Sequence, residues 1–283
     1  MNDYVRTIPV GFATVTVMNV GNVILTLSEI MNVSEDEWRP RYAADFEQPF
    51  VFPSQCIHIA LPDASVLVDA NDYAVSTPPG SLYAPPNYQP PPGLIAQLLE
   101  QDIRPEDITH LVITHAHFDH YAGITTRRNG QAIPCFPHAR CYVGKADWDN
   151  PETQEALQIP DSEDSRTFGV LQQLGLLELV DGDRELVPGV QIIAAPGESD
   201  GHQIVRIRSG GQTLYCLGDL YHHPVEVEQP TWMAEWANTD ANLASRHSLA
   251  EAALAENALL IATHIPTIGR LARSEMGVTW VVV

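Results

Sequence analysis

The chain has 283 residues, 45% hydrophobic and 18% charged, a composition that supplies a packed core and excludes a disordered chain. Its 15 Lys and Arg stand against 36 Asp and Glu, for a formal net charge of −21, and Lys145 is the only lysine. Such a field repels polyanions, and no basic run beyond Arg127-Arg128 exists to displace counterions, so no nucleic-acid partner is expected.

Met1 to Val10 lacks the basic start and apolar stretch of a secretory signal, and no window approaches the roughly 20 apolar residues that span a bilayer. A cytoplasmic location without membrane attachment is the expectation. Cys56, Cys135, Cys141 and Cys216 are scattered, with no Cys-x-x-Cys pair, and read as reduced, mostly packed thiols.

Strand-like runs of β-branched and apolar residues begin at Val10 to Val17 and Val23 to Leu27, then Cys56 to Leu61 and Val66 to Val68. The stretch Asn71 to Gly93 follows, holding Pro78, Pro79, Pro85, Pro86, Pro90, Pro91 and Pro92 with Tyr73, Tyr83 and Tyr88. So much proline excludes a central strand or a helix there, leaving a stiffened surface loop or a lid whose tyrosines touch a ligand. A helix is predicted from Gly93 to Gln101, then strands at His110 to Thr114 and Cys141 to Val143, and a helix from Arg166 to Leu174. Strands at Val190 to Ala194, Gln203 to Arg208 and Thr213 to Leu217, a helix from Leu243 to Ala255 and a last strand at Leu259 to Thr263 complete the pattern. Strands with occasional helices predict two sheets with helices packed outside, in one domain spanning 1–283 without a linker.

The chemistry is concentrated after the His110 to Thr114 run, where His115, His117, Asp119 and His120 fall within six positions. Imidazole and carboxylate are the ligands that zinc and other first-row divalent ions prefer, and a loop at a strand end can turn closely spaced side chains toward one point. Three further candidates lie downstream: His202 before one strand, Asp219 after the next, and His264 at the end of the last. Gly210-Gly211 reads as a two-residue hairpin turn, and its register sets His202 opposite Asp219, at a Cβ separation of about 4.5–5.5 Å.

These seven residues, in this order, resemble the metallo-β-lactamase superfamily, whose motif His-x-His-x-Asp-His precedes a later His, a bridging Asp in Gly-Asp and a last His. Val66 to Ala70 is similar to that family's early strand, ending here in Asp69, which orients a metal ligand from behind. The resemblance implies an α/β (α+β) architecture, an αββα sandwich with the metals at one edge of its two sheets. It implies that His115, His117 and His202 hold one ion, that Asp119, His120 and His264 hold the other, and that Asp219 bridges them. One departure is visible. Where many relatives read Pro-Gly-His-Thr-x-Gly-His, this chain reads Pro-Gly-Glu-Ser-Asp-Gly-His, so Glu198 and Asp200 are expected to be solvated loop residues.

Two divalent ions acidify a water to a pKa of about 7, polarise a carbonyl or phosphoryl oxygen and stabilise a departing oxygen. The resemblance therefore implies a dinuclear hydrolase in which a metal-bridging hydroxide attacks and Asp119 shuttles the proton. Zinc is the expected ion, with manganese, iron and cobalt also compatible. The acidic bridge and the segment Gly218-Asp219-Leu220-Tyr221-His222-His223-Pro224 look like the lactonase and methyl-parathion-hydrolase-like branches. Tyr221 and His222 are candidate hydrogen-bond donors to the substrate oxygen. Trp148, Trp232 and Trp236 belong either to the core or to a pocket wall. A small-molecule lactone or neutral ester is the leading substrate. A phosphotriester, a mono-iron persulfide-dioxygenase-like role and a non-catalytic metal-binding module are the alternatives, and a homodimer is one expected assembly.

Overall fold

The computed structural model describes residues 4–71, 88–275 and 277–283. Most of the proline-rich loop, with Tyr73, Tyr83 and the four prolines from Pro78 to Pro86, lies outside the described residues. In chain order the strands are β1 (Val5–Val10), β2 (Ala13–Leu25), β3 (Phe50–Leu61), β4 (Ala64–Val68), β5 (His110–Val112), β6 (Thr125–Arg128), β7 (Gln131–Pro134), β8 (Arg140–Gly144), β9 (Leu177–Val180), β10 (Arg184–Val187), β11 (Val190–Ala194), β12 (Gln203–Ser209), β13 (Gln212–Cys216), β14 (Leu259–Ile261), β15 (Gly269–Ser274) and β16 (Gly277–Val282).

Among the described residues they form two seven-stranded sheets, ordered β1-β2-β3-β4-β5-β8-β9 and β10-β11-β12-β13-β14-β15-β16, with β6 and β7 as a separate hairpin. The first sheet turns parallel from β4 onward, and the second contains one parallel pair, β13 with β14. Parallel neighbours need crossovers, which the helices Leu94–Glu100 and Thr239–Glu256 supply. This is the expected mixed αββα sandwich.

Alternation along the strands sorts three apolar layers. Val15, Val17, Ile57 and Ile59 of the first sheet meet Val190, Ile192, Val205 and Ile207 of the second to fill the space between the sheets. Met18, Cys56, Leu67 and Cys141 face the other way, against Leu98, Phe168 and Leu171. Tyr215, Leu217 and Leu260 pack outward against Leu249 and Ala253. A satellite cluster joins Trp38, Tyr42 and Phe46 of the helix Glu35–Glu47 to Trp232. Trp148 also packs into the core, so of the three candidate tryptophans only Trp236 is left to line a pocket.

Several expectations need correction. Val10 to Val17 is not one strand: Gly11, at φ +58°, turns the chain so that Val10 pairs with Ala13. The Val23 to Leu27 run ends as a strand at Leu25, where Thr26 and Glu29 form a capping box for a short 3-10 turn. The Arg166 to Leu174 helix is two pieces, Glu163–Arg166 and Phe168–Gln173, broken at Thr167 (φ −108°, ψ −89°). The Gly210-Gly211 turn forms as expected, both glycines at positive φ, and Val205 to Ser209 pairs with Gln212 to Cys216 in the anticipated register. None of the four cysteines is in a disulfide, and three of them are buried. Among the described residues no helix is long and apolar enough to cross a membrane.

Candidate metal centre

Strand β5 ends at Val112, and the chain then enters the loop that carries the histidines. Asp69, at φ +58° just beyond β4, holds that loop: its carboxylate accepts from Thr114 N (2.8 Å), Thr114 Oγ1 (3.0 Å) and His120 Nδ1 (2.9 Å). His117 is the residue preceding the short helix Phe118–Tyr121, which turns Asp119 and His120 back toward His115.

The ring orientations share one logic. His120 Nδ1 donates to Asp69, His202 Nδ1 donates to the Ala195 carbonyl (3.0 Å), and His264 Nδ1 donates to the Pro53 carbonyl (2.7 Å). His115 Nδ1 lies 3.2 Å from Thr114 Oγ1. Each bond fixes a tautomer whose Nε2 lone pair faces inward, as in histidines that ligate metals. His115 Nε2 approaches His117 Nδ1 at 2.8 Å, and Asp219 Oδ2 lies 3.2 Å from His120 Nε2 and 3.0 Å from His264 Nε2. Asp119 Oδ2 is 3.5 Å from His264 Nε2 and 3.7 Å from His120 Nε2.

His202 and Asp219 meet as expected, though not as a strand pair. The ladder ends at Val205 and Cys216, Gly218 turns at φ +54°, and Asp219 N lies 3.2 Å from His202 Nε2. A Cβ on Gly218 would stand 2.8 Å from His202 Nε2, so glycine is required to bring the two together.

Six of the seven candidate ligands thus converge, and His202 joins them only through the contact of its Nε2 with Asp219 N. Ligand atoms from His115, His120 and Asp219, and from Asp119, His120 and His264, lie within 4.8 Å of one another. Buried Asp219 Oδ1 has no hydrogen-bond partner among the described residues. Burial would raise the Asp219 carboxyl, yet the imidazoles of His120 and His264 hold it well below the usual range. Burial pushes His115 well down, toward the neutral form that ligates. An orphaned carboxylate oxygen amid inward lone pairs fits divalent cations.

The two candidate oxygen-binding residues part company. His222 is buried but lines a cavity of about 560 Å³ that opens beside Asp119 and Asp219. Tyr221 faces the opposite way: its ring packs among Leu249 and Leu260 with the Arg246 guanidinium 4.9 Å over it, so it does not reach that cavity. Glu198 also departs from expectation. It is 3% exposed rather than solvated, whereas Asp200 is exposed as anticipated.

Two contributors had no local signal. Asp147, buried in the helix Lys145–Asp149, accepts from Ala116 N (2.9 Å), Ser199 Oγ (2.8 Å) and Gly201 N (2.6 Å), clamping the His115–His117 loop to the loop that carries His202. Phe52 stacks on His264 at a centroid separation of 3.9 Å. An aspartate in a short helix and a phenylalanine in a strand have many uses, and only the tertiary fold shows these.

The Metallo-beta-lactamase superfamily profile matches residues 86–264, so the chain belongs to that superfamily. It is 32% identical over 114 residues to an N-acyl homoserine lactonase of Bacillus cereus, covering 40% of this chain and 38% of the relative. A probable metallo-hydrolase of Mycobacterium tuberculosis is 25% identical over 146 residues, covering 45% and 41%. The chain therefore matches about two fifths of the length of these curated relatives. Among solved structures, the hydrolase AbOPH superposes with a TM-score of 0.77 at 16% identity, covering 99% of this chain and 97% of that one. AidC, a dizinc quorum-quenching lactonase in complex with a product, superposes at 0.72 with 18% identity and the same coverage. At such identities these neighbours speak for the fold.

Proposed function

We propose that this chain, acting as one unit, is a dinuclear metal-dependent hydrolase of a lactone or other neutral ester. The observation that carries the reading is the convergence of His115, His117, Asp119, His120, Asp219 and His264, of which His117, Asp119, Asp219 and His264 line an apolar-walled cavity. His115, His117 and His202 would hold one ion and Asp119, His120 and His264 the other, with Asp219 shared and zinc the expected metal. Such ions supply Lewis acidity, lowering the pKa of water and polarising the ester carbonyl.

The protein's own groups do the rest. Asp119, with a quarter of its side chain exposed, is the acidic group at the cavity floor that water reaches, and it orients the attacking water and takes its proton. His222 is in place to donate from its ring to the substrate's carbonyl oxygen; both its nitrogens are buried without a hydrogen-bond partner among the described residues. Val23, Leu25, Ile30, Phe52, Phe118 and Trp236 give the cavity an apolar wall suited to an acyl chain. The net charge of −21 favours a neutral substrate over an anionic one. The aromatic share of that wall also suits an aryl leaving group, which keeps a phosphotriester as the second reading.

The test is acid release from an acyl-lactone in weak buffer with a pH indicator, comparing metal-loaded, chelated and His117→Ala protein. Release by the loaded wild type alone is expected. No release from protein holding two ions per chain would sink the lactone reading and bring aryl phosphotriesters forward.

A further inference from the structure

Glu198 stands where the superfamily pattern places a histidine, and the structure drives its side chain inward. Gly197, at φ +140°, packs so closely on the helix Thr239–Glu256 that a Cβ there would sit 2.3 Å from Asn242 Cα. Its carbonyl accepts from Asn238 N (2.8 Å), and its amide donates to the Ser199 carbonyl (2.9 Å). On the other side Asp147 holds Ser199 and Gly201. The backbone on both sides of residue 198 is thereby fixed, and the carboxylate is buried.

Its surroundings are imidazoles. Glu198 Oε1 lies 3.6 Å from His117 Nδ1 and 3.7 Å from His222 Nε2, and it accepts from Trp236 Nε1 (2.5 Å). Oε2 is buried without a hydrogen-bond partner among the described residues. Ligand atoms of Glu198, His115 and His117 lie within 4.8 Å of one another, and Glu198 forms a second such group with Asp219 and His222. One indole N–H offsets only part of the cost of desolvating a buried carboxylate. A positive charge beside the carboxylate, a bound cation or a protonated His222, makes up the difference. The His117 Nδ1 and His115 Nε2 nitrogens converge beside the carboxylate, and carboxylate oxygen is a competent ligand for the first-row divalent ions.

We propose that Glu198 is an additional, anionic protein ligand to the ion held at His115 and His117. This rests on the dinuclear reading above. The two ions are then unlike: the one at His115 and His117 gains a carboxylate that the superfamily pattern lacks, and the Trp236 indole N–H holds that carboxylate in place.

The test strips the full chain of metal, reloads it with Co2+, and measures stoichiometry, affinity by competition with a chromophoric chelator, and the visible ligand-field spectrum. Glu198→Gln retains the acceptor for Trp236 and removes the charge. Expected is a loss of roughly 100-fold or more in affinity for one of two ions, at or above the 10–100-fold typical of groups that act only through a ligand. The visible band should change intensity as one ion loses an oxygen ligand. If Glu198→Gln fails to fold, Glu198→Asp, which keeps the charge but shortens the reach by one methylene, carries the same expectation. Two ions bound with wild-type affinity and an unchanged spectrum would overturn the assignment and leave Glu198 as counter-charge to His222. Wild-type protein that binds no ion would instead remove the dinuclear reading on which it rests.

Discussion

Arg246 and Glu226 form an ion pair, 1% and 0% exposed, on which the loop bearing His222 is built. Arg246 also donates to the carbonyls of Leu220 (2.8 Å), Pro230 (3.0 Å) and Trp232 (2.6 Å), while Glu226 accepts from His222 N and, at 2.8 Å, from His223 N. Arg246→Met leaves Glu226 as a buried charge without its cation, a change that costs about 3–5 kcal/mol. An independent route agrees. Burial would raise the Glu226 carboxyl, but the Arg246 guanidinium and His222 hold it at about 2 against the ordinary 4.5. That difference of ~2.5 units corresponds to ~3 kcal/mol. Because the folded value is depressed, this stability is fully present above pH 4.5 and is lost as pH falls toward 2, with about 2 kcal/mol gone by pH 3. Without the guanidinium, burial pushes the Glu226 carboxyl back up, so the variant has less to lose in acid. Urea unfolding of metal-free protein at neutral pH and near pH 3.5 should show a large Arg246→Met defect that shrinks in acid. A defect under ~1 kcal/mol, or one equal at both pH values, would refute the argument.

Three further outcomes are expected. Asp119→Asn should lower kcat by about 10²–10⁴ with two ions still bound by elemental analysis; unchanged turnover removes its role in proton transfer. Asp147→Ala strips the acceptor from Ala116 N, Ser199 Oγ and Gly201 N and should lower metal affinity by ~10–100-fold in chelator competition, with an unaltered affinity showing that the clamp is dispensable. Burial lowers His58 to about 4, so the unfolded chain binds a proton between pH 6.5 and 4 that the folded chain refuses. His58 should contribute a fall of up to ~3 kcal/mol over that window, so stability should fall by less in His58→Gln than in wild type; parallel urea titrations of the two would count against it.

The candidate ligand set could be picked out in the sequence because metal chemistry restricts residue type, and because strand ends deliver side chains at short, recognisable spacings. His115 to His120 follow one strand, and the Gly210-Gly211 turn fixed the register that brings His202 to Asp219. Where a short-range rule governed, as at that turn or at the helix Leu94–Glu100, sequence and structure agree. Where a single residue cut an apolar run, as Gly11 does between β1 and β2, hydrophobic periodicity alone missed the break. The helix Glu35–Glu47, with Pro40 inside it, carries no apolar repeat to announce it and is held by tertiary packing of Trp38, Tyr42 and Phe46.

Tyr221 and His222 show why specificity is harder to read than ligation. Both are adjacent, both can donate to an oxyanion, and only the backbone direction after Gly218 decides between them. It sends Tyr221 beneath Arg246 and His222 to the cavity. Glu198 makes the same point from the other side: a carboxylate in a Ser, Asp and Gly context reads as solvated loop, yet Gly197 packed on Asn242 and the Asp147 clamp press it against His117. The ligand motif can stay constant while the groups around it vary. The roles proposed for Glu198, His222 and the apolar wall therefore rest on positions whose meaning depends on contacts between distant segments.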